Sequence, residues 1–221
     1  MAGLSAERVA ANLAEVRGEI AAAAQRAGRS ADAVEVLAAV KYLDAEALGA
    51  LAEAGITLLG ENRAQELVAK ADRWPGRFQW DFIGQLQSRK VKQVLPYVRL
   101  IESVATDSAL RQLERHGGPD TEILVEVNLG GEASKSGIAP DELDAFLERA
   151  PVRVAGLMTM PPFTEDPEGS RPYFARLREL AAERGLERLS MGTTQDFAVA
   201  VEEGATTVRL GTRLWRDDEP E

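Results

Sequence analysis

Short apolar stretches rich in β-branched residues alternate with amphipathic stretches along almost the whole chain, and this alternation restricts the fold more than any other feature. The clearest strand is Val34-Glu35-Val36-Leu37-Ala38-Ala39-Val40-Lys41, an apolar run too continuous for a strand with one wet face. Further strand-like segments fall at 56–60, 79–84, 98–104, 121–128, 152–159, 186–191 and 206–211. Helical stretches at 45–54, 64–72, 85–95, 108–116, 141–149, 171–184 and 195–203 separate them. Strands joined through helices pair in parallel, because a parallel crossover needs that length of chain. Eight strands is the number that closes a (β/α)8 barrel, so the expected fold class is α/β, a TIM-type barrel. An open doubly wound sheet has the same periodicity and is the runner-up.

An extra helix precedes the first strand: Val9, Leu13, Val16 and Ile20 form an apolar stripe at helical spacing, and the helix ends at Gly28. Little chain follows the last strand, so the eighth helix is missing or short and the N-terminal helix is placed to cover the gap. No Gly/Ser/Pro-rich linker divides the chain, which reads as one domain over 1–221. Residues 213–221 read as an acidic, solvated C-terminal tail ending in Asp217-Asp218-Glu219-Pro220-Glu221.

The chain contains no cysteine and one histidine, which removes disulfides, Cys/His zinc sites, Ser-His-Asp triads and Cys-His dyads together. The one histidine, His116, precedes Gly117-Gly118 where a helix ends, the setting of a solvated surface residue. A net charge of −10, from 36 acidic and 26 basic residues, repels nucleic acid and anionic membranes. No apolar run approaches the ~20 residues that span a bilayer, and the N-terminus lacks a signal-peptide pattern. A cytoplasmic location follows as the default.

In a parallel barrel the functional site lies at the C-terminal ends of the strands, and there the sequence places lysine, hydroxyls, glycines and an arginine. Lys41 closes the first strand. Burial there would lower its pKa and supply the neutral amine that attacks an aldehyde, whereas a lysine already clear of the strand would snorkel to solvent. Ser190-Met191-Gly192-Thr193-Thr194 lies between a strand and a helix, and Gly211-Thr212 follows the last strand. Hydroxyls and free amides in the final two loops suit a phosphate. Arg209, two residues before Gly211, shares its side of the strand; pairing with a carboxylate in the barrel mouth is the alternative. Gly130-Gly131-Glu132-Ala133-Ser134-Lys135-Ser136 superficially suggests a P-loop, but Ser134 stands where that motif needs glycine. It reads as a mobile polar loop.

These residues match a known pattern. Ala39-Val40-Lys41, Gly60-Glu61-Asn62-Arg63-Ala64-Gln65-Glu66, Trp80-Asp81-Phe82-Ile83-Gly84-Gln85-Leu86-Gln87, Val127-Asn128 with Ser134-Lys135-Ser136-Gly137, Gly156-Leu157-Met158-Thr159, Ser190-Met191-Gly192 and Val208-Arg209-Leu210-Gly211-Thr212 occur in order. The chain thereby resembles the pyridoxal phosphate homeostasis proteins, single-domain relatives of the alanine racemase barrel. The resemblance implies a carrier that holds pyridoxal 5′-phosphate (PLP) as a Schiff base on Lys41 and has no catalytic residue. It implies that Arg209 faces the pyridine nitrogen and that Thr194, Gly211 and Thr212 hold the phosphate. Asn62, Met158 and Ser190 would line the pocket. The partners implied are PLP and, beyond it, PLP-dependent apoenzymes, with the carrier itself a monomer.

Three positions depart from the family pattern: Asp81 stands where histidine is usual, Arg89 where asparagine is usual, and Thr193-Thr194 where Met-Ser is typical. Thr194 keeps a hydroxyl for a phosphate. Rival readings are an amino-acid racemase, whose second acid/base is not evident because Tyr42 should point to the opposite side of a continuing strand from Lys41 while Tyr97 and Tyr173 fall near a helix end and in a helix, and a class I aldolase, whose lysine would react with a substrate carbonyl.

Overall fold

The computed structural model describes residues 4–131 and 136–216; the polar-loop expectation at Glu132–Lys135 and the tail 217–221 lie outside the described residues. The chain opens with helix α1 (Ala6–Arg26), capped by Ser5, whose hydroxyl accepts from the Arg8 amide at 3.3 Å. Eight strands follow: β1 (Glu35–Ala39), β2 (Leu58–Glu61), β3 (Gln79–Phe82), β4 (Leu100–Val104), β5 (Glu122–Glu126), β6 (Arg153–Met158), β7 (Arg188–Thr193) and β8 (Thr207–Leu210). Seven helices connect them: α2 (Leu48–Glu53), α3 (Ala64–Arg73), α4 (Val91–Val94), α5 (Asp107–His116), α6 (Leu143–Glu148), α7 (Arg171–Ala182) and α8 (Phe197–Glu202). Each strand pairs in parallel with the next, and β8 pairs with β1 to close the barrel, with Leu37 opposite Arg209. The closed barrel is the expected fold, and the open-sheet alternative falls.

Strand alternation sorts side chains into two environments. Outward residues such as Val36, Ala38, Leu59, Trp80 and Val208 join the helices in the main apolar core. The interior holds only small apolar clusters, Leu100, Leu124, Ala155 and Met158 in one and Leu37, Ala39 and Leu58 in the other. The rest of the interior is polar. A fully buried leucine in either core contributes about 1.5–3 kcal/mol.

Helix α1 covers the gap after β8, where no α-helix follows among the described residues. Its Val9, Leu13, Val16 and Ile20 are buried, and Asn12 Nδ2 donates to the Arg216 carbonyl at 3.2 Å. Arg213 pairs with Glu15 and Glu19 of α1 at 3.1 and 3.0 Å, and Leu214 is wholly buried. Residues 213–216 are thus part of the domain, correcting the reading that the tail begins at 213. The physical reason is that Leu214 and Trp215 pack where an eighth helix would have covered the barrel.

Three differences in boundary bear on the site. Strand β1 stops at Ala39, two residues before Lys41. Strand β7 runs through Gly192 to Thr193, into what the sequence suggested was loop. The helix expected at 85–95 shrinks to a 3-10 turn, Ser88–Lys90, and the single turn of α4. Gln85 and Gln87 are exposed around a buried Leu86, a two-residue period that a helix does not continue. His116 is an exposed last residue of α5, as expected.

Gly192 sits at the β7 exit in a backbone conformation that favours glycine. Its φ is +90°, and an added Cβ would sit 2.5 Å from Ala200 Cβ and 3.0 Å from Phe197 Cα. Gly192→Ala is expected to destabilise the fold by roughly 1–3 kcal/mol, measured by denaturant unfolding; an unchanged midpoint would contradict this account of the β7 exit.

Candidate functional site

A cavity of ≈ 950 Å³ opens at the C-terminal ends of the strands, near the upper end of the range for small-molecule sites. Lys41, Asn62, Met158, Thr194, Arg209, Gly211 and Thr212 all line it. Ser190 does not: it is completely buried one layer lower, beneath Arg209.

Lys41 and Tyr42 occupy a tight turn that follows β1, closed by the Leu43 amide donating to the Val40 carbonyl at 3.1 Å. Because the strand has ended, strand alternation no longer applies. Tyr42 therefore lines the same cavity, with its ring centroid 4.9 Å from Lys41 Nζ, and does not take the opposite side. Lys41 is exposed, so of the two readings the lysine clear of its strand is the one found, an amine standing in an open cavity.

Arg209 is the buried charge of the site. Its Nη1 donates to Ser190 Oγ at 2.5 Å, and its Nη2 donates to the Thr159 carbonyl at 2.9 Å and to Met160 Sδ at 2.9 Å. Nε spends no hydrogen bond on the described residues. Glu102 Oε2 lies 3.9 Å from Nη1, so the carboxylate pairing and the cavity-lining position coexist. Burial lowers the guanidinium pKa, while Glu102, Glu126 and Asp196 oppose that shift.

Glu102 is fully buried. Its Oε2 accepts from Ser190 Oγ at 2.6 Å, while Oε1 has no partner among the described residues. Desolvation pushes its pKa up to about 7 against the pull of Arg209, and the nearby Asp81 adds to the rise. Glu126 reaches the cavity from β5 and accepts from Ser136 Oγ at 2.5 Å; burial raises its pKa too.

The β7 exit is tied down by Asp196, whose Oδ1 accepts from the Thr193 amide at 2.7 Å and from the Thr193 hydroxyl at 3.2 Å. The Thr193 amide is thus spent inside the protein, which corrects its expected availability to an anion. The hydroxyls of Thr194 and Thr212 make no hydrogen bond with the described residues. Gly211 adds backbone without a side chain, and a Cβ there would meet only the Ala39 carbonyl, at 3.7 Å. The Asn62 Oδ1 is buried and has no partner among the described residues.

Of the departures from the family pattern, Asp81 lies outside the cavity lining. It is buried and receives two hydrogen bonds from Arg99, at 3.1 and 2.8 Å. Arg99 also reaches Glu35, at 2.7 Å. Arg89 is exposed and donates to Gln87 Oε1 at 3.1 Å. Neither lines the cavity.

The apolar rim was not read from sequence. Tyr42, Met160 and Phe163 are 72%, 50% and 79% exposed, and all three line the cavity. The available signal was Met160-Pro161-Pro162-Phe163 directly after a strand, apolar residues held by prolines where a polar loop would be ordinary. Among the described residues no cluster of His, Cys, Asp or Glu is arranged to hold a metal, and no helix is long and apolar enough to cross a membrane.

Glu102 makes a pH prediction. Its folded pKa of about 7 stands above the ordinary 4.5, so the stability associated with its neutral form is present below the ordinary value and lost as pH rises through the folded one. Glu102→Gln is expected to flatten the pH dependence of unfolding between those two values. Urea titrations on either side of the window check this, and equal slopes for both proteins would refute it.

The profile of a family described as "Alanine racemase, N-terminal domain" matches residues 11–218. The "Pyridoxal phosphate homeostasis protein" of Aquifex aeolicus (strain VF5) is 39% identical over 217 residues, covering 92% of this chain and 95% of that one. The protein of the same name from Pseudomonas aeruginosa is 38% identical over 94% of each chain. Among solved structures, PipY of Synechococcus elongatus PCC7942 with PLP bound superposes with a TM-score of 0.79. Its sequence is 28% identical, and the match covers 94% of this chain and all of that one.

Proposed function

The chain belongs to the pyridoxal phosphate homeostasis proteins, built on the alanine racemase N-terminal domain, and from that premise we propose that it binds PLP on Lys41 and serves in PLP homeostasis. The observation that carries the reading is the convergence of Lys41, Arg209, Thr194 and Gly211-Thr212 on one cavity. Lys41 would hold the cofactor covalently, as a Schiff base.

The residues present fit the group. The Thr194 and Thr212 hydroxyls, which make no hydrogen bond with the described residues, and the uncovered backbone at Gly211 suit a phosphate. Asn62 carries an unsatisfied amide oxygen, and its amide orientation is exchangeable. Bound PLP supplies an electron-withdrawing ring that stabilises negative charge beside it.

Arg209 limits that chemistry. A guanidinium only donates hydrogen bonds and stays protonated. Held by Ser190 and Thr159, with Nε left over, it would donate to the ring nitrogen. A nitrogen that accepts a hydrogen bond from a cation is not itself protonated, which weakens the electron sink. Retention without turnover follows, and delivery to PLP-dependent apoenzymes is the corresponding role.

A racemase needs acid/base groups on both faces of its substrate. Lys41 and Tyr42 come from one turn and lie side by side; Glu126 is the carboxylic acid among the described residues of the wall, and burial raises its pKa. Exchange of the α-proton tests this reading: PLP-loaded protein incubated with L-alanine in D2O is expected to leave the alanine undeuterated, and deuterium at Cα would overturn the non-catalytic reading.

The attachment itself is tested by the visible spectrum before and after borohydride, with peptide mass mapping. A bleached band and a pyridoxyl group on Lys41 are expected, and Lys41→Ala should abolish the trapped adduct. Trapping that persists in the variant would remove Lys41 from the site, and no uptake of PLP at all would favour the aldolase reading.

A further inference from the structure

Behind the cavity, and lining no part of it, lies the most deeply buried ion pair among the described residues. Lys70 of α3 and Glu61 of β2 are 2% and 0% exposed, with Nζ 2.5 Å from Oε2. A buried pair is weak evidence of stabilisation, because removing two charges from water costs about as much as their attraction returns. The remaining bonds of the two side chains show where they act.

Lys70 Nζ donates a second bond, 2.9 Å long, to the Val40 carbonyl. That carbonyl also accepts the Leu43 amide at 3.1 Å, closing the turn whose central residues are Lys41 and Tyr42. The Val40 amide meanwhile donates to the Gly60 carbonyl at 2.9 Å. On the other side of the pair, Glu61 Oε1 accepts from the Asn62 amide at 2.7 Å and the Arg63 amide at 3.2 Å, fixing the exit of β2 and the start of α3.

We infer that Glu61 and Lys70 are positioning residues: the pair locks the two adjacent strand exits from behind, setting the Lys41 turn against Asn62. Lys41 and Tyr42 are both exposed, so packing does little to hold their turn. Val40 is then the anchor, and among the described residues Lys70 is the one side chain that grips its carbonyl. Sites of this kind require their reacting groups to be held within ~0.5 Å by supporting bonds. An apolar pair of the same volume would fill the space equally well yet leave the Val40 carbonyl with one partner and the two amides with none.

The inference rests on the PLP reading for its consequence but not for its test. In the double variant Glu61→Gln with Lys70→Met, no buried charge is stranded, and the glutamine oxygen still accepts from the Asn62 and Arg63 amides. Amide hydrogen exchange of the ligand-free chain is followed at Lys41, Tyr42 and Leu43, with strand β5 as internal reference. Exchange in the turn is expected to accelerate at least tenfold while β5 keeps its protection, and PLP affinity is expected to fall by a similar factor.

Unchanged exchange in the turn would overturn the proposal. So would equal acceleration in the turn and β5, or a chain that no longer folds, since the pair would then be holding the fold and not the turn. If the wild-type chain takes up no PLP, the carrier reading falls, while the exchange comparison still decides the role of the pair.

Discussion

Pairing of β8 with β1 is the constraint from which the rest of the site follows. A parallel sheet left open would expose two unpaired edges; closure satisfies both. Its register sets Leu37 opposite Arg209 and Ala38 opposite Leu210. Alternation then sends Arg209 inward and Leu210 outward to the helices, and the loops that follow the first and last strands become neighbours. Lys41 and Gly211-Thr212, far apart in sequence, face one cavity for that reason. Helix α1 protects the seam with the ion pairs from Arg213.

Closure also creates an interior that apolar side chains fill only in part. Along the inside of the barrel stand Asp81 with Arg99, then Glu102, then Ser190 and Arg209, with Glu126 at the cavity wall. Each charge there is expensive unless it is paired or neutralised. Arg99 answers Asp81, Arg209 answers several carboxylates at a distance, and Glu102 answers its own burial by holding a proton up to about pH 7. The guanidinium of Arg209 is thereby fixed from below, which makes it a hydrogen-bond donor of set direction toward the cavity.

Much of this was legible in the residues. The alternation of strands and helices pointed to the barrel, and the chemical residues at strand ends pointed to the cavity, because in a parallel barrel those ends must converge. Other features were not. Whether Lys41 is buried depended on where β1 stops, and a difference of two residues moves it from a desolvated strand to an open turn. The same two residues put Tyr42 in the cavity. Ser190 looked like a lining residue because it ends a strand as written, yet β7 runs on to Thr193 and leaves it one layer down. Burial of Lys70 had no local signal, since it falls in a helical stretch with an ordinary polar face, and nothing at the Gly60-Glu61-Asn62 strand exit showed that Glu61 would be paired with it.

The sequence by itself determined the fold class, the face of the barrel that carries the site and most of the side chains that reach it. These follow from periodicity and residue type, which are local properties of the chain. Only the tertiary structure decided which of those side chains are exposed, which are spent on one another and which remain free. Lys41 stands open, Thr193 is engaged by Asp196, Ser190 lies beneath Arg209, and Lys70 grips the carbonyl before Lys41. Those outcomes depend on strand register and on contacts between residues distant in sequence, and no local pattern encodes them.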